Sequence, residues 1–187
     1  MNLQRQRARG FSLIEVMVAL VIIGIGMMGI AKIQALSYAS NGTASARSLA
    51  AIEAASLASA MRANRSYWSA PPAALTITVA GATATAVGDN TLNGTYGCTF
   101  GGANAPCTPA QVASYDLANW VTALNGLLPN VTGTVSCSLP VATQPVGCTI
   151  NIQWAERQVS LTQAQNTGAL SNNAAMAPPT YTLYVEP

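Results

Sequence analysis

The hydrophobic pattern changes character twice along the chain. From Phe11 to Ile30 nearly every position is apolar and the only charge is Glu15. A run of 20 residues is the length a helix needs to cross the hydrocarbon core of a membrane. From Ala31 to about Asn64 the chain is proline-free and rich in Ala, Ser, Leu and Met, which continues the helix in a more mixed pattern. One helix over 11–64 would be about 80 Å long at 1.5 Å per residue. Ile33, Leu36, Leu49, Ile52, Leu57 and Met61 form the expected buried face of its outer half. Gly24, Gly26 and Gly29 each cost about 1 kcal/mol against alanine, and Asn41-Gly42 marks a place to bend or break. "RSYWSAPP", Arg65–Pro72, ends the helix through its two prolines. Tyr67 and Trp68 beside Arg62 and Arg65 read first as packing and second as a cation–π binding spot.

Beyond Pro72 the period shortens. "LTITVAGATATAV", Leu75–Val87, reads as one strand, and Asp89–Gly102 as a Gly/Asn-rich loop. "CTPAQVASYDLANWVTALNGLLPN" is a second helix. Thr108 caps it, Pro109 opens it, Gln111 completes a capping box, and Gly126 and Pro129 end it. Val112, Tyr115, Leu117, Trp120, Val121, Leu124 and Leu128 are its expected buried side. Val131–Leu139, Gly147–Ala155 and Thr180–Glu186 read as strands. The middle one alternates Cys148, Ile150, Ile152 and Trp154 with polar residues, as a half-buried antiparallel strand does. "RQVSLT", Arg157–Thr162, reads as a short extra strand, and Gln163–Pro179 as a loose polar segment. The fold class expected is α+β: a long N-terminal helix packed on a small antiparallel head with one additional helix.

Charge changes the picture more than composition does. Only 7% of residues are charged, against roughly 25% in an ordinary soluble domain. The net charge is +2, which supplies no field for nucleic acid. Three of the eight bases are Arg5, Arg7 and Arg9, just before the apolar run. They hold the N-terminus on the cytoplasmic side and send everything after Lys32 across the membrane. A plain anchor or an ordinary secretory signal, with "SYA" at Ser37–Ala39 as its cleavage site, accounts for the run but not for Glu15. A cut between Gly10 and Phe11 does account for it. The new α-amino group at Phe11 would then stand about one helical turn from Glu15, and a neighbour's amine could pair with that carboxylate and set the register of packed helices.

The residues "GFSLIEVMVALVIIGIGMMGI" resemble the class III signal of type IV pilins and pseudopilins. The resemblance implies that a membrane prepilin peptidase cuts after Gly10 and N-methylates Phe11, and that Glu15 is the family's assembly glutamate. It also implies local unwinding around the glycines when subunits pack. "EVMVALVIIGIGMMGIAKIQ", "MRANRSYW" and the "CTPAQ" helix resemble the minor pilins of the PilV group. The organisation expected is a leader over 1–10, a transmembrane and filament-core helix over 11–31, the outer half of the helix over 32–66 and a periplasmic globular head over 67–187. The partners implied are the prepilin peptidase, other minor and major pilins and the inner-membrane assembly machinery. The role implied is in pilus biogenesis, twitching and adhesion. A type II secretion pseudopilin and a pilus-displayed ligand-binding head are the alternatives.

Enzyme chemistry is not expected. There is no histidine, no nucleophile motif, and Asp116 and Glu156 lie too far apart in sequence to suggest an acid–base pair. Asp116 reads as a solvated helix residue or the partner of a nearby base. No cofactor is expected. Cys98, Cys107, Cys137 and Cys148 allow three disulfide pairings. Cys98–Cys107 and Cys137–Cys148 are favoured because each closes a short loop, and the spacings lack the close pairs of a zinc site. The sequons "NRS", "NGT" and "NVT" read as chance matches.

Overall fold

The computed structural model describes residues 10–98, 107–139, 141, 144–156 and 178–187. The chain divides into two compact units, one up to Asn41 and one from Gly42 onward. The first helix, α1 (Leu13–Ala63), contributes to both. It passes through Asn41 and Gly42 without a break, so the helix formers on either side outweigh these two residues. A one-turn helix, α2 (Arg65–Trp68), follows Asn64.

The second unit is an α+β structure. Five antiparallel strands, β1 (Leu75–Ala80), β2 (Thr83–Val87), β3 (Thr132–Cys137), β4 (Cys148–Gln153) and β5 (Thr180–Val185), lie in the order β2-β1-β3-β4-β5. Helix α3 (Pro109–Leu127) connects the first hairpin to the rest of the sheet, and a 3-10 turn at Asn90–Asn93 precedes it. Period-two alternation decides which face is buried. Leu75, Ile77, Val79, Val135, Cys137, Cys148, Ile150, Ile152 and Val185 point into the core. Thr76, Thr78, Thr132, Thr134, Thr149 and Thr182 stand on the exposed face.

Three expectations are corrected. Leu75–Val87 is two strands, because Gly81 takes a φ of +57° and closes a two-residue hairpin between Ala80 and Thr83. The buried face of α1 in the second unit is built largely from alanines. Ala50, Ala54, Leu57, Ala58 and Met61 are buried, Leu49 is half-buried and Ile52 is exposed. Ile33, in the first unit, is exposed as well, and Leu36 there is half-buried. On α3, Ala113 and Ser114 are buried while Val112 and Tyr115 are half-buried. In both helices small residues share the buried face with Leu57, Met61, Leu117 and Leu124. The segments read as the Arg157–Thr162 strand and most of the Gln163–Pro179 loop lie outside the described residues.

The capping box of α3 forms as its sequence requires. Thr108 Oγ1 accepts from Gln111 N–H at 3.3 Å, and Thr108 N–H donates to Gln111 Oε1 at 2.9 Å. Two disulfides tie the second unit, Cys98–Cys107 and Cys137–Cys148. The second joins residues directly opposite each other on β3 and β4. Trp68, Trp120 and Trp154 are all in the core, and Trp120 Nε1 donates to the Glu53 carbonyl at 2.9 Å, which joins α3 to α1.

Candidate functional site

In the first unit the site is the start of α1. Glu15 N–H donates to the Ser12 carbonyl at 3.0 Å and Val16 N–H to the same carbonyl at 3.3 Å, so the helix begins just after Ser12. Glu15 therefore lies in the first turn, where unpaired backbone N–H groups favour a carboxylate. Gly10 and Phe11 precede the helix in non-helical chain, and Phe11 is 83% exposed. A peptide bond between them is open to attack without unwinding α1.

Every residue from Phe11 to Ala35 is exposed, including Leu13, Ile14, Val21, Ile22, Ile25 and Met28. An 18-residue window of this helix has a mean hydropathy of 2.5, long and apolar enough to cross a membrane. Among the described residues no atom stands where a side chain at Gly24, Gly26 or Gly29 would project, so none of them demands glycine there. Among the described residues Glu15 makes no ion pair. The arrangement offers one carboxylate at the head of a bare apolar helix, next to an accessible Gly-Phe junction.

Residues 5–31 match the prokaryotic N-terminal methylation motif. The segment is type IV pilin-like. A signal of this type implies processing by prepilin peptidase and association with pilins, and with the apolar helix it fits a membrane-anchored pilin. Neither the curated proteins nor the solved structures give a match to the chain.

The second unit carries three charged or polar constellations. Arg47 and Glu156, 109 residues apart in sequence, meet in a two-pronged ion pair, Nε to Oε1 at 3.0 Å and Nη2 to Oε2 at 3.2 Å. Tyr67 Oη donates to Asp89 at 2.8 Å. Burial, then that hydrogen bond and the carboxylate's charge, push the phenol well above its ordinary range. Burial alone would raise Asp89, but the hydrogen bonds from Thr91 and Tyr67 outweigh it and bring the carboxyl below its usual value. Tyr67 and Trp68 are buried edge to face with centroids 5.2 Å apart, so this pair is packing.

The third constellation is a groove between α1 and α3 with a void of about 320 Å³. Glu53, Ser56, Leu57 and Ala60 form one wall, and Asp116, Asn119, Trp120 and Ala123 the other. Burial raises both Glu53 and Asp116 above their ordinary values. Asp116 is half-buried and makes no ion pair among the described residues, and Glu156 is paired with Arg47. Among the described residues no cluster of three or more metal-ligating side chains occurs. Sequence reading missed Glu53 and the Arg47–Glu156 pair, because each depends on a contact distant in sequence. The one available signal was a carboxylate on each of two otherwise apolar-rich helices.

Proposed function

We propose that this chain is a minor pilin of the type IV pilus. It is cut after Gly10 by prepilin peptidase, methylated on Phe11, and drawn from the inner membrane into the filament or into the complex that primes it. The observation that carries this reading is the Gly10-Phe11 junction with Glu15 one turn into a bare apolar helix, inside the methylation motif. In this reading residues 1–10 are the leader, 11–31 the span, 32–66 the outer half of the helix and 67–187 the periplasmic head. Arg5, Arg7 and Arg9 stay cytoplasmic, and the oxidising compartment beyond suits the two disulfides. Glu15 pairs with the amine of a neighbour's Phe11 and penalises wrong registers, since an unpaired carboxylate in an apolar bundle is costly. The exposed apolar face supplies the packing surface. The role is structural and needs no cofactor.

The test is the mass of the N-terminal peptide of membrane-extracted protein, with Glu15→Ala alongside. The expected chain starts at N-methylated Phe11, and Glu15→Ala is processed but missing from sheared filaments. A chain still starting at Met1 in cells with active prepilin peptidase overturns the reading. The same signal serves type II secretion pseudopilins. Loss of pili on deletion, with secretion intact, separates the two.

A further inference from the structure

The start of α1 carries the residue types of a complete helix-starting motif. The Ser12 carbonyl accepts from Val16 N–H at 3.3 Å, the first four-residue bond of the helix, so Ser12 is the N-cap residue. Counted from it, Glu15 is the third helical residue, Val16 the fourth, and Phe11 the residue before the cap. Serine at the cap with glutamate three residues on is a capping box, and Phe11 with Val16 hold the two positions of a hydrophobic staple. The same chain shows a closed box at α3, where Thr108 and Gln111 bond at 2.9 and 3.3 Å. At α1 the backbone half is in place, and the side chains of Ser12 and Glu15 make no hydrogen bond among the described residues. Apolar surroundings favour closure there, because an unpaired carboxylate and unpaired amide N–H groups are both costly out of water.

The cap stops the helix just short of the Gly10-Phe11 junction. Residues 4–9, Gln-Arg-Gln-Arg-Ala-Arg, are good helix formers, and Gly10 is the poorest helix former between them and the cap. If α1 ran back through the junction, the Gly10 carbonyl would accept from Ile14 N–H. That carbonyl is the one to which water must add for the chain to part into a Gly10 carboxylate and a Phe11 amine. No such bond is made among the described residues. A capping side chain at Ser12 accepts from the second or third helical N–H, Ile14 or Glu15, and so competes for the same donors. We propose that Ser12 is a positioning residue for the cut: its hydroxyl, in a box closed by Glu15, ends α1 at the cap and leaves the Gly10 carbonyl free. The inference rests on the pilin reading for the identity of the cut. It gives Glu15 a partner within its own chain before it meets a neighbour's amine.

The test mixes the full-length precursor in micelles with membranes that contain prepilin peptidase. The initial rate of appearance of the chain starting at Phe11 is read by mass. Ser12→Ala is expected to be cut roughly fivefold more slowly, the ~1 kcal/mol of a lost N-cap. Ser12→Asn caps as well as serine without a hydroxyl, and its rate should stay within about twofold of the unaltered chain. Glu15→Ala should be cut more slowly than Glu15→Gln, since an amide closes the same box at Gln111, and both should reach completion. The Cα chemical shifts of Gly10 and Phe11 in the uncut chain are read alongside. They should move toward helical values in Ser12→Ala and not in Ser12→Asn. Equal rates for Ser12→Ala and the unaltered chain overturn the proposal. So does a slow Ser12→Asn, which marks the hydroxyl as a direct contact of the peptidase, or a slow Ser12→Ala whose Gly10 and Phe11 shifts stay extended. An unaltered chain that is never cut overturns the pilin reading and this role with it, while the shifts report separately whether Ser12 caps α1.

Discussion

Ile22 and Ile150 are the same side chain in opposite circumstances. Ile22 lies in the first unit at 65% exposure, and Ile150 lies in the second at 0%. The contrast extends to their neighbours. From Phe11 to Ala35 the Leu, Ile, Val and Met side chains are uncovered, while those on β1, β3 and β4 are shut into one core with Leu57, Met61, Leu117 and Leu124. The difference lies in patterning. Alternation or helical periodicity gives a segment one apolar face that its own chain can cover, whereas a run apolar on all sides needs a medium or partners outside the chain. The second unit therefore carries its own stability, and the first borrows its apolar environment.

The largest effect that could break this comparison comes from trimming the two isoleucines. Ile150→Ala should cost the second unit about 2–5 kcal/mol through lost burial and the cavity left behind. Ile22→Ala should change that stability by less than about 0.5 kcal/mol. Urea unfolding of the full chain in detergent micelles reads this directly, because Trp68, Trp120 and Trp154 all report on the core of the second unit. Equal losses from the two substitutions would mean that the first unit shares the core of the second. Next in size is the strand-to-strand disulfide. Replacing Cys137 and Cys148 together by alanine opens a loop of 11-residue separation and should cost about 3 kcal/mol on the chain-entropy account. A midpoint unchanged by the double replacement would leave the β3–β4 pairing to the backbone ladder and side-chain burial alone.

How far these features were legible follows from the range of the interactions that make them. Thr108, Pro109 and Gln111 announced the start of α3 because a capping box is closed within four residues. The alternation of Cys148, Ile150, Ile152 and Trp154 announced the buried face of β4. Glu15 stood out because a carboxylate is costly in an apolar run, so its position needed no fold to be noticed. The hairpin at Gly81 went unread because its one turn signal is a glycine at the first loop position, with no Asn or Asp beside it, and its neighbours keep strand character on both sides. The alanine face of α1 went unread for a related reason. Hydrophobic patterning weights Ile33 and Ile52, yet the side chains buried with Leu57 and Met61 are Ala50, Ala54 and Ala58. Arg47–Glu156 and the Glu53–Asp116 groove depend on tertiary neighbours, and no local rule places those side chains near each other.

The smallest predicted effect concerns the groove itself and has a definite sign. Burial raises the folded pKa of Glu53 and of Asp116, so between the unfolded and folded values the native state binds more protons than the unfolded one. Their ionisation costs stability throughout the range above the folded values, and that cost is relieved as pH falls through them toward the unfolded values. Asp89 runs the other way. Its folded pKa is lowered, so its contribution is present above the unfolded value and is lost as pH falls through the folded one. Glu53→Gln should therefore raise the stability of the isolated full chain in micelles at neutral pH, by no more than a few tenths of a kcal/mol once solvent screening of this partly exposed group is allowed for. It should also flatten the gain in stability seen on mild acidification. Among the described residues the only other titratable group lining the groove is Asp116, so Asp116→Asn should act in the same direction. Loss of stability in Glu53→Gln at neutral pH would mean that the carboxylate is already satisfied within the chain, and the desolvation account of its raised pKa would fail with it.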